Sequence, residues 1–142
     1  VEVARLAVQA GDWKVAKERL DAVIAAEPGL KEPRQMRAQV LAAEGDLAGA
    51  LAEVEGVLAE TRTASALTAA AMLRLRTGDL DGGFAAFDEA IALDPYLANT
   101  RVAYLRALAA SGQPERFSEA AAEALEKLPE DAEVRGLAGI AA

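Results

Sequence analysis

Gly78-Asp79-Leu80-Asp81-Gly82-Gly83-Phe84-Ala85-Ala86-Phe87-Asp88-Glu89-Ala90-Ile91-Ala92-Leu93-Asp94-Pro95 is the stretch whose reading decides the fold. Its apolar residues Leu80, Phe84, Phe87, Ala90 and Ile91 fall at steps of three and four, the spacing of one helix face. Gly78 suits the left-handed residue that ends a preceding helix, and Asp79 suits the cap that starts the next. Pro95 cannot continue a helix and closes the segment. The same punctuation recurs along the chain. Gly11-Asp12, Gly45-Asp46, Gly78-Asp79 and Gly112-Gln113 are spaced by 34, 33 and 34 residues. Pro28, Pro95 and Pro129 each stand 17 residues after a repeat glycine, with Arg62 at that place in the second repeat. Each interval therefore predicts a helix, a tight turn and a second helix.

This spacing predicts helices near 1–10 and 12–27, 32–44 and 46–60, 63–77 and 79–93, 97–111 and 114–128, with a last helix near 131–142. About a quarter of the 142 residues are Ala, the best helix former, and only 4% are aromatic. The length suits a single domain of 1–142, with repeats near 1–28, 29–62, 63–95 and 96–129 and a capping helix over 130–142. Val1-Glu2-Val3-Ala4-Arg5 at one end and Leu137 to Ala142 at the other read as cut from a longer chain.

Five residues past each glycine come Ala16, Ala50, Gly83 and Phe117, and four later come Leu20, Val54, Phe87 and Ala121. The first set is mostly small and the second mostly bulky. This pattern of a small residue, a bulky one and a closing Pro at a period of 34 resembles the tetratricopeptide repeat family over nearly the whole chain. The resemblance implies an all-α, right-handed α-solenoid of antiparallel helix pairs, about four repeats plus a terminal helix. It also implies that first helices line a concave face and second helices a convex one. The first-helix signature departs from the family pattern. It reads Arg34, Arg37, Ala38, Leu41 in the second repeat, Leu67, Ala70, Ala71, Arg74 in the third and Arg101, Tyr104, Leu105, Leu108 in the fourth. Ala38 and Ala71 keep the close-contact position; Leu105 and Phe117 do not, so looser or shifted packing is expected there.

Composition narrows the function. With no Cys and no His there is no disulfide framework, no zinc site of the usual kind and no imidazole base for a catalytic triad. Ser65, Ser111 and Ser118 have no credible base beside them, so no catalytic residue, metal ligand or cofactor site is assigned. The net charge of -8 argues against nucleic acid as a partner, and no apolar run is long enough to suggest a membrane span. Gly82-Gly83 lacks the Lys and Ser/Thr of a phosphate loop and reads as a close helix contact. The pairs Asp88-Glu89 and Glu130-Asp131 read as a solvated face and a helix start. Trp13, Phe84, Phe87 and Tyr104 read as packing residues, and Tyr96 as partly exposed at a turn. Arg outnumbers Lys 11 to 4 beside many Ala and Gly, which points to a GC-rich bacterial genome. The composition does not fix the compartment; the cytoplasm is slightly favoured over the periplasm.

The charge is unevenly distributed. First-helix segments sum to +3 and second-helix segments to -11. Arg34, Arg37, Arg74, Arg76, Arg101 and Arg106 all belong to first helices. Under the family geometry this makes a mildly basic concave groove suited to an acidic peptide or helix of a protein partner. The competing reading has these Arg side chains lying over the helix interface and pairing with neighbouring acids. By the same resemblance, partner-binding residues are Arg5, Gln35, Gln39, Thr68, Met72, Arg76, Asn99, Val102 and Arg106, with Arg76 and Arg106 foremost. The carboxylate clamp of chaperone-binding members is missing, since its places hold Gln35, Gln39 and Met72. The expected function is thus a non-enzymatic protein-interaction scaffold. The alternatives are a homo-oligomer built through terminal faces at Val1, Leu137 and Ile140, and a regulatory or targeting arm of a larger bacterial enzyme or envelope complex.

Overall fold

A computed structural model describes residues 1–139. The chain divides into two compact units, Val1–Arg62 and Thr63–Ala142. The first contains α1 (Glu2–Ala10), α2 (Trp13–Ala26), α3 (Lys31–Ala43) and α4 (Leu47–Glu60). The second contains α5 (Ala64–Arg76), α6 (Leu80–Leu93), α7 (Ala98–Ala110), α8 (Pro114–Lys127) and α9 (Ala132–Leu137). The division falls on a predicted repeat boundary, at Arg62, where the closing Pro is missing. In place of that Pro, the Thr63 hydroxyl accepts a hydrogen bond from the Ala66 N–H at 3.1 Å and caps α5.

The repeat glycines do the work read from the sequence. Gly78 has φ +91, a left-handed value that only glycine adopts cheaply. It lets the Asp79 N–H reach back to the Arg74 carbonyl at 2.9 Å, closing the end of α5. Asp79 then accepts from the Gly82 N–H at 2.9 Å and starts α6. Asp12 and Asp46 cap α2 and α4 in the same way. The fourth turn has Gln113, which makes no side-chain cap, and relies on Pro114 in the first turn of α8. The terminal helix departs from expectation. It ends at Leu137, with Gly139 left-handed at φ +78, and Ile140 to Ala142 lie outside the described residues.

Within the first unit, Ala4, Ala7, Ala16, Leu20, Met36 and Val40 form one core, with Trp13 packed against it. In the second unit Ala71, Phe84, Phe87, Tyr104 and Leu108 form another. There Phe87 stacks on Tyr104 at 5.0 Å between ring centroids. Val134 of α9 is fully buried against Val102, Leu105, Ala121 and Ala124, so the last described helix covers the α7–α8 hairpin. Phe117 is half-buried and touches both clusters of the second unit, which is how the fourth hairpin accommodates a ring at the small position.

Tyr104 couples this core to pH. Burial, then the hydrogen bond its hydroxyl donates to Asp88 Oδ1 at 3.0 Å, pushes the phenol up to about 12. The unfolded phenol titrates near ~10, so the neutral form favours the folded state. That stability is fully present below pH ~10 and is lost as pH rises through about 12. Denaturant midpoints measured from pH 8 upward should therefore fall more steeply for the native sequence than for Tyr104→Phe.

Candidate functional site

The candidate surface is the solvent side of the first helices, taken separately in each unit. In the first unit, Arg5 is already engaged by two acids. Its Nη1 donates to Glu2 Oε2 at 2.7 Å and its Nη2 donates to Glu32 Oε1. The Glu32 hydrogen bond, followed by the charges of Glu32 and Glu2, raises the Arg5 guanidinium above its ordinary value. Arg34 Nη1 donates to Glu60 Oε1 at 3.1 Å. It reaches α4 over Gly56, where a Cβ would stand 2.6 Å from Arg34 Nη2. Arg37 binds Asp21 Oδ1 at 3.1 Å and also Glu53 Oε1. Burial works against charge on Arg37, and its hydrogen bonds to Glu53 and Asp21 outweigh it, leaving the guanidinium raised. Gln35 is half-buried and Gln39 is exposed.

In the second unit the positions divide sharply. Thr68 is 4% exposed, donates its proton to the Ala64 carbonyl at 2.7 Å, and lies 2.7 Å from the Thr100 hydroxyl. Val102 is buried in the α7–α8–α9 cluster. Neither side chain is presented to a partner: both sit where neighbouring helices close over them. Met72 is 48% exposed, and Arg76 and Asn99 are exposed. Arg106 is exposed and donates to Glu133 Oε2 at 3.1 Å. Arg101 is buried, its Nε donating to the Pro95 carbonyl at 2.8 Å, so it holds the turn before α7. Arg74 also has a partner. Arg76 makes no ion pair among the described residues.

The predicted basic stripe is thus mostly neutralised within the chain. Two of its pairs, Arg5–Glu32 and Arg106–Glu133, are each separated by 27 residues and occupy equivalent places in their repeats. In each, an Arg on one first helix meets a Glu at the start of the next. That spacing was the available signal for Glu32 and Glu133, and a charge sum by segment cannot register it. Of the predicted residues on α5 and α7, Met72, Arg76 and Asn99 are exposed and outside any ion pair among the described residues, and Ala69 and Ala103 on the same helices are half-buried. Among the described residues, no group of three or more His, Cys, Asp or Glu is placed to hold a metal ion. No described helix is long and apolar enough to cross a membrane.

No family model matches the sequence, and no curated protein matches it. Solved structures do match. TTC0263, a thermophilic TPR protein of Thermus thermophilus, superposes with TM-score 0.84 at 20% identity, over 96% of this chain and 76% of that one. The fold is that of the tetratricopeptide repeat. Other TPR-fold neighbours agree. MamA superposes with TM-score 0.76 at 17% identity, over 98% of this chain and 82% of its own. YrrB, described as a TPR protein with an unusual peptide-binding site, superposes with TM-score 0.69 at 14% identity, over 96% of this chain and 71% of its own. At these identities the likeness establishes the tetratricopeptide fold, a fold generally used for protein–protein interaction, and assigns no particular partner.

Proposed function

We propose that this chain is a non-catalytic protein-interaction module. Its principal contact surface in the second unit is the outward face of α5 and α7, carried by Met72, Arg76 and Asn99. One observation carries the reading. Arg76 is an exposed cation with no ion pair among the described residues, and Met72 stands one turn before it with 48% of its surface in water. Seven other residues of α5 are spent on packing, with Ala64, Ala66, Leu67, Thr68, Ala70, Ala71 and Leu73 all buried. An exposed flexible apolar side chain beside an uncompensated charge suits a partner segment that offers an apolar residue and a carboxylate. Arg106 stays in the proposed surface as a contact whose charge must first leave Glu133. In the first unit, Gln35 and Gln39 offer neutral amide contacts, and Arg5 is held by its two acids.

A photo-crosslinking residue placed at Met72 should capture a partner that the same residue at Ala85, on the exposed side of α6, does not. Equal capture at both positions would move the contact away from α5. A second reading is self-association. Val3 and Leu6 on α1 are 54% and 55% exposed and lie on one side of that helix. Leu137 is instead half-buried, packed in the α9 cluster, and Ile140 lies outside the described residues. Sedimentation over a wide concentration range, compared with Leu6→Glu, tests this reading.

A further inference from the structure

Between α6 and α8, beside Tyr104 of α7, lies a cavity of about 380 Å³. The corresponding place in the first unit is crossed by a guanidinium. Gly11 to Gly78 and Gly45 to Gly112 are both 67 residues, so a shift of 67 carries α2, α3 and α4 onto α6, α7 and α8. Asp21, Arg37 and Glu53 then correspond to Asp88, Tyr104 and Ala120, and these last three all line the cavity. In the first unit Arg37 bridges α2 and α4, donating to Asp21 Oδ1 at 3.1 Å and to Glu53 Oε1. In the second unit the Tyr104 hydroxyl makes the matching bond, to Asp88 Oδ1 at 3.0 Å, and Ala120 offers it no second partner. The cation has gone from this place, while acid has been added. Glu119 and Glu123 stand where the first unit has Ala52 and Gly56, and both line the cavity one turn apart on α8. Glu119 makes no ion pair among the described residues, and Glu123 meets Arg101 at a long 3.8 Å. Arg116, also in the wall, is committed elsewhere: it lies 3.5 Å from Asp88 Oδ2 and covers the Phe84 ring at 5.0 Å from its centre.

We infer that this cavity is a docking site for an arginine side chain presented by a protein partner, which supplies from outside the guanidinium that Arg37 supplies from within. A cation entering it meets three carboxylates, of Asp88, Glu119 and Glu123, against the single guanidinium of Arg116. Ile91, Ala92 and Ala120 give the wall an apolar part, against which the methylene stem of an arginine can lie while its head stays with the acids. A planar fork of donors suits two carboxylates one turn apart better than the compact, strongly hydrated ammonium of lysine does. Arginine is also prominent among the residues that anchor protein interfaces. The site lies on second helices and shares no residue with the Met72–Arg76 surface. The two surfaces select opposite charges, and either can fail without the other.

The test uses Nα-acetylargininamide at low salt as the probe and amide chemical shifts of the whole chain as the readout. The probe should shift the Ile91, Glu119 and Glu123 amides saturably in the millimolar range. Its neutral analogue Nα-acetylcitrullinamide should leave them in place, and Nα-acetyllysinamide should bind more weakly. Glu119→Gln with Glu123→Gln should weaken binding about tenfold. Both side chains are exposed, so α8 keeps its packing in this variant. Glu115→Gln with Glu126→Gln removes the same charge from α8 outside the cavity and should change the affinity by less than about twofold. Equal losses from the two pairs would mean a general attraction to an acidic helix and would overturn the inference. So would the absence of a saturable shift with the native sequence, an equal response to the citrulline probe, or an equal affinity for the lysine probe.

Discussion

Phe87→Ala should lower the stability of the second unit by about 3–5 kcal/mol, the range for emptying a fully enclosed aromatic site. Phe87 has no exposed surface and stacks on Tyr104 at 5.0 Å. Its removal takes away the buried area and the stacking partner together, and leaves a void in the cluster that also holds Ala71, Phe84 and Leu108. In a unit of this size, each ~1 kcal/mol shifts the melting temperature by roughly 4–8 °C. A thermal scan should therefore show a loss of more than about 10 °C. Phe84→Ala should cost less, because Phe84 keeps its outer face under the Arg116 guanidinium, 5.0 Å from the ring centre. Equal losses at the two positions would mean that the stacked Phe87–Tyr104 pair is not the centre of this core.

Gly83→Leu should destabilise the same unit by about 3 kcal/mol, although leucine is the better helix former. Even the first carbon of a side chain at Gly83 would lie 2.7 Å from Leu75 and 3.1 Å from the Ala71 carbonyl. The carbonyl belongs to the backbone of α5 and cannot move without parting the hairpin. Gly49 is the informative control. It also lies in the first turn of its helix, but the three atoms nearest a Cβ there all belong to the side chain of Asp46, not to the backbone of a neighbouring helix. Urea unfolding of Gly83→Leu and Gly49→Leu separates the two cases. A Gly83→Leu protein as stable as the native one would mean that the α5–α6 hairpin does not depend on a close approach at Gly83.

What could be read from the sequence was the punctuation. Gly78-Asp79 and its counterparts act locally, through one left-handed glycine and, in all but the Gly112-Gln113 turn, one Asp cap, so their spacing gave the helix pairs to within a residue or two. The burial of Phe84, Phe87 and Tyr104 followed from helical periodicity. The candidate surface was less accessible. Thr68, Met72 and Arg76 share one stripe of α5, yet Thr68 is buried while Met72 and Arg76 are exposed. Thr68 meets α7 through the Thr100 hydroxyl while Met72 and Arg76 stay exposed, and no single-helix pattern encodes where along the stripe a neighbour closes over it. The charges were harder still. Segment sums put Arg residues on first helices and acids on second helices, but ion pairing depends on which side chains converge in space. Glu32 and Glu133 stand on first helices themselves and neutralise Arg5 and Arg106 from the adjoining repeat. The limit on the fourth repeat is similar: the sequence marked Leu105 and Phe117 as misfits, while the cavity between α6 and α8 needed coordinates.

The proposed surface is therefore less a basic groove than a cation, Arg76, with no ion pair among the described residues, beside an exposed methionine. Exposed ion pairs such as Arg106–Glu133 contribute little to stability, roughly 0–1 kcal/mol, but they already satisfy the guanidinium that a partner's carboxylate would need. The decisive measurement is the affinity of the partner captured at Met72 for the native chain, Arg76→Gln and Arg106→Gln, each at low and high salt. Arg76→Gln should weaken binding about tenfold, equivalent to ~1.4 kcal/mol, and remove most of the salt dependence. Arg106→Gln should change the affinity by less than about threefold. Equal losses from the two substitutions, or no loss at Arg76, would show that the unpaired cation on α5 does not select the partner.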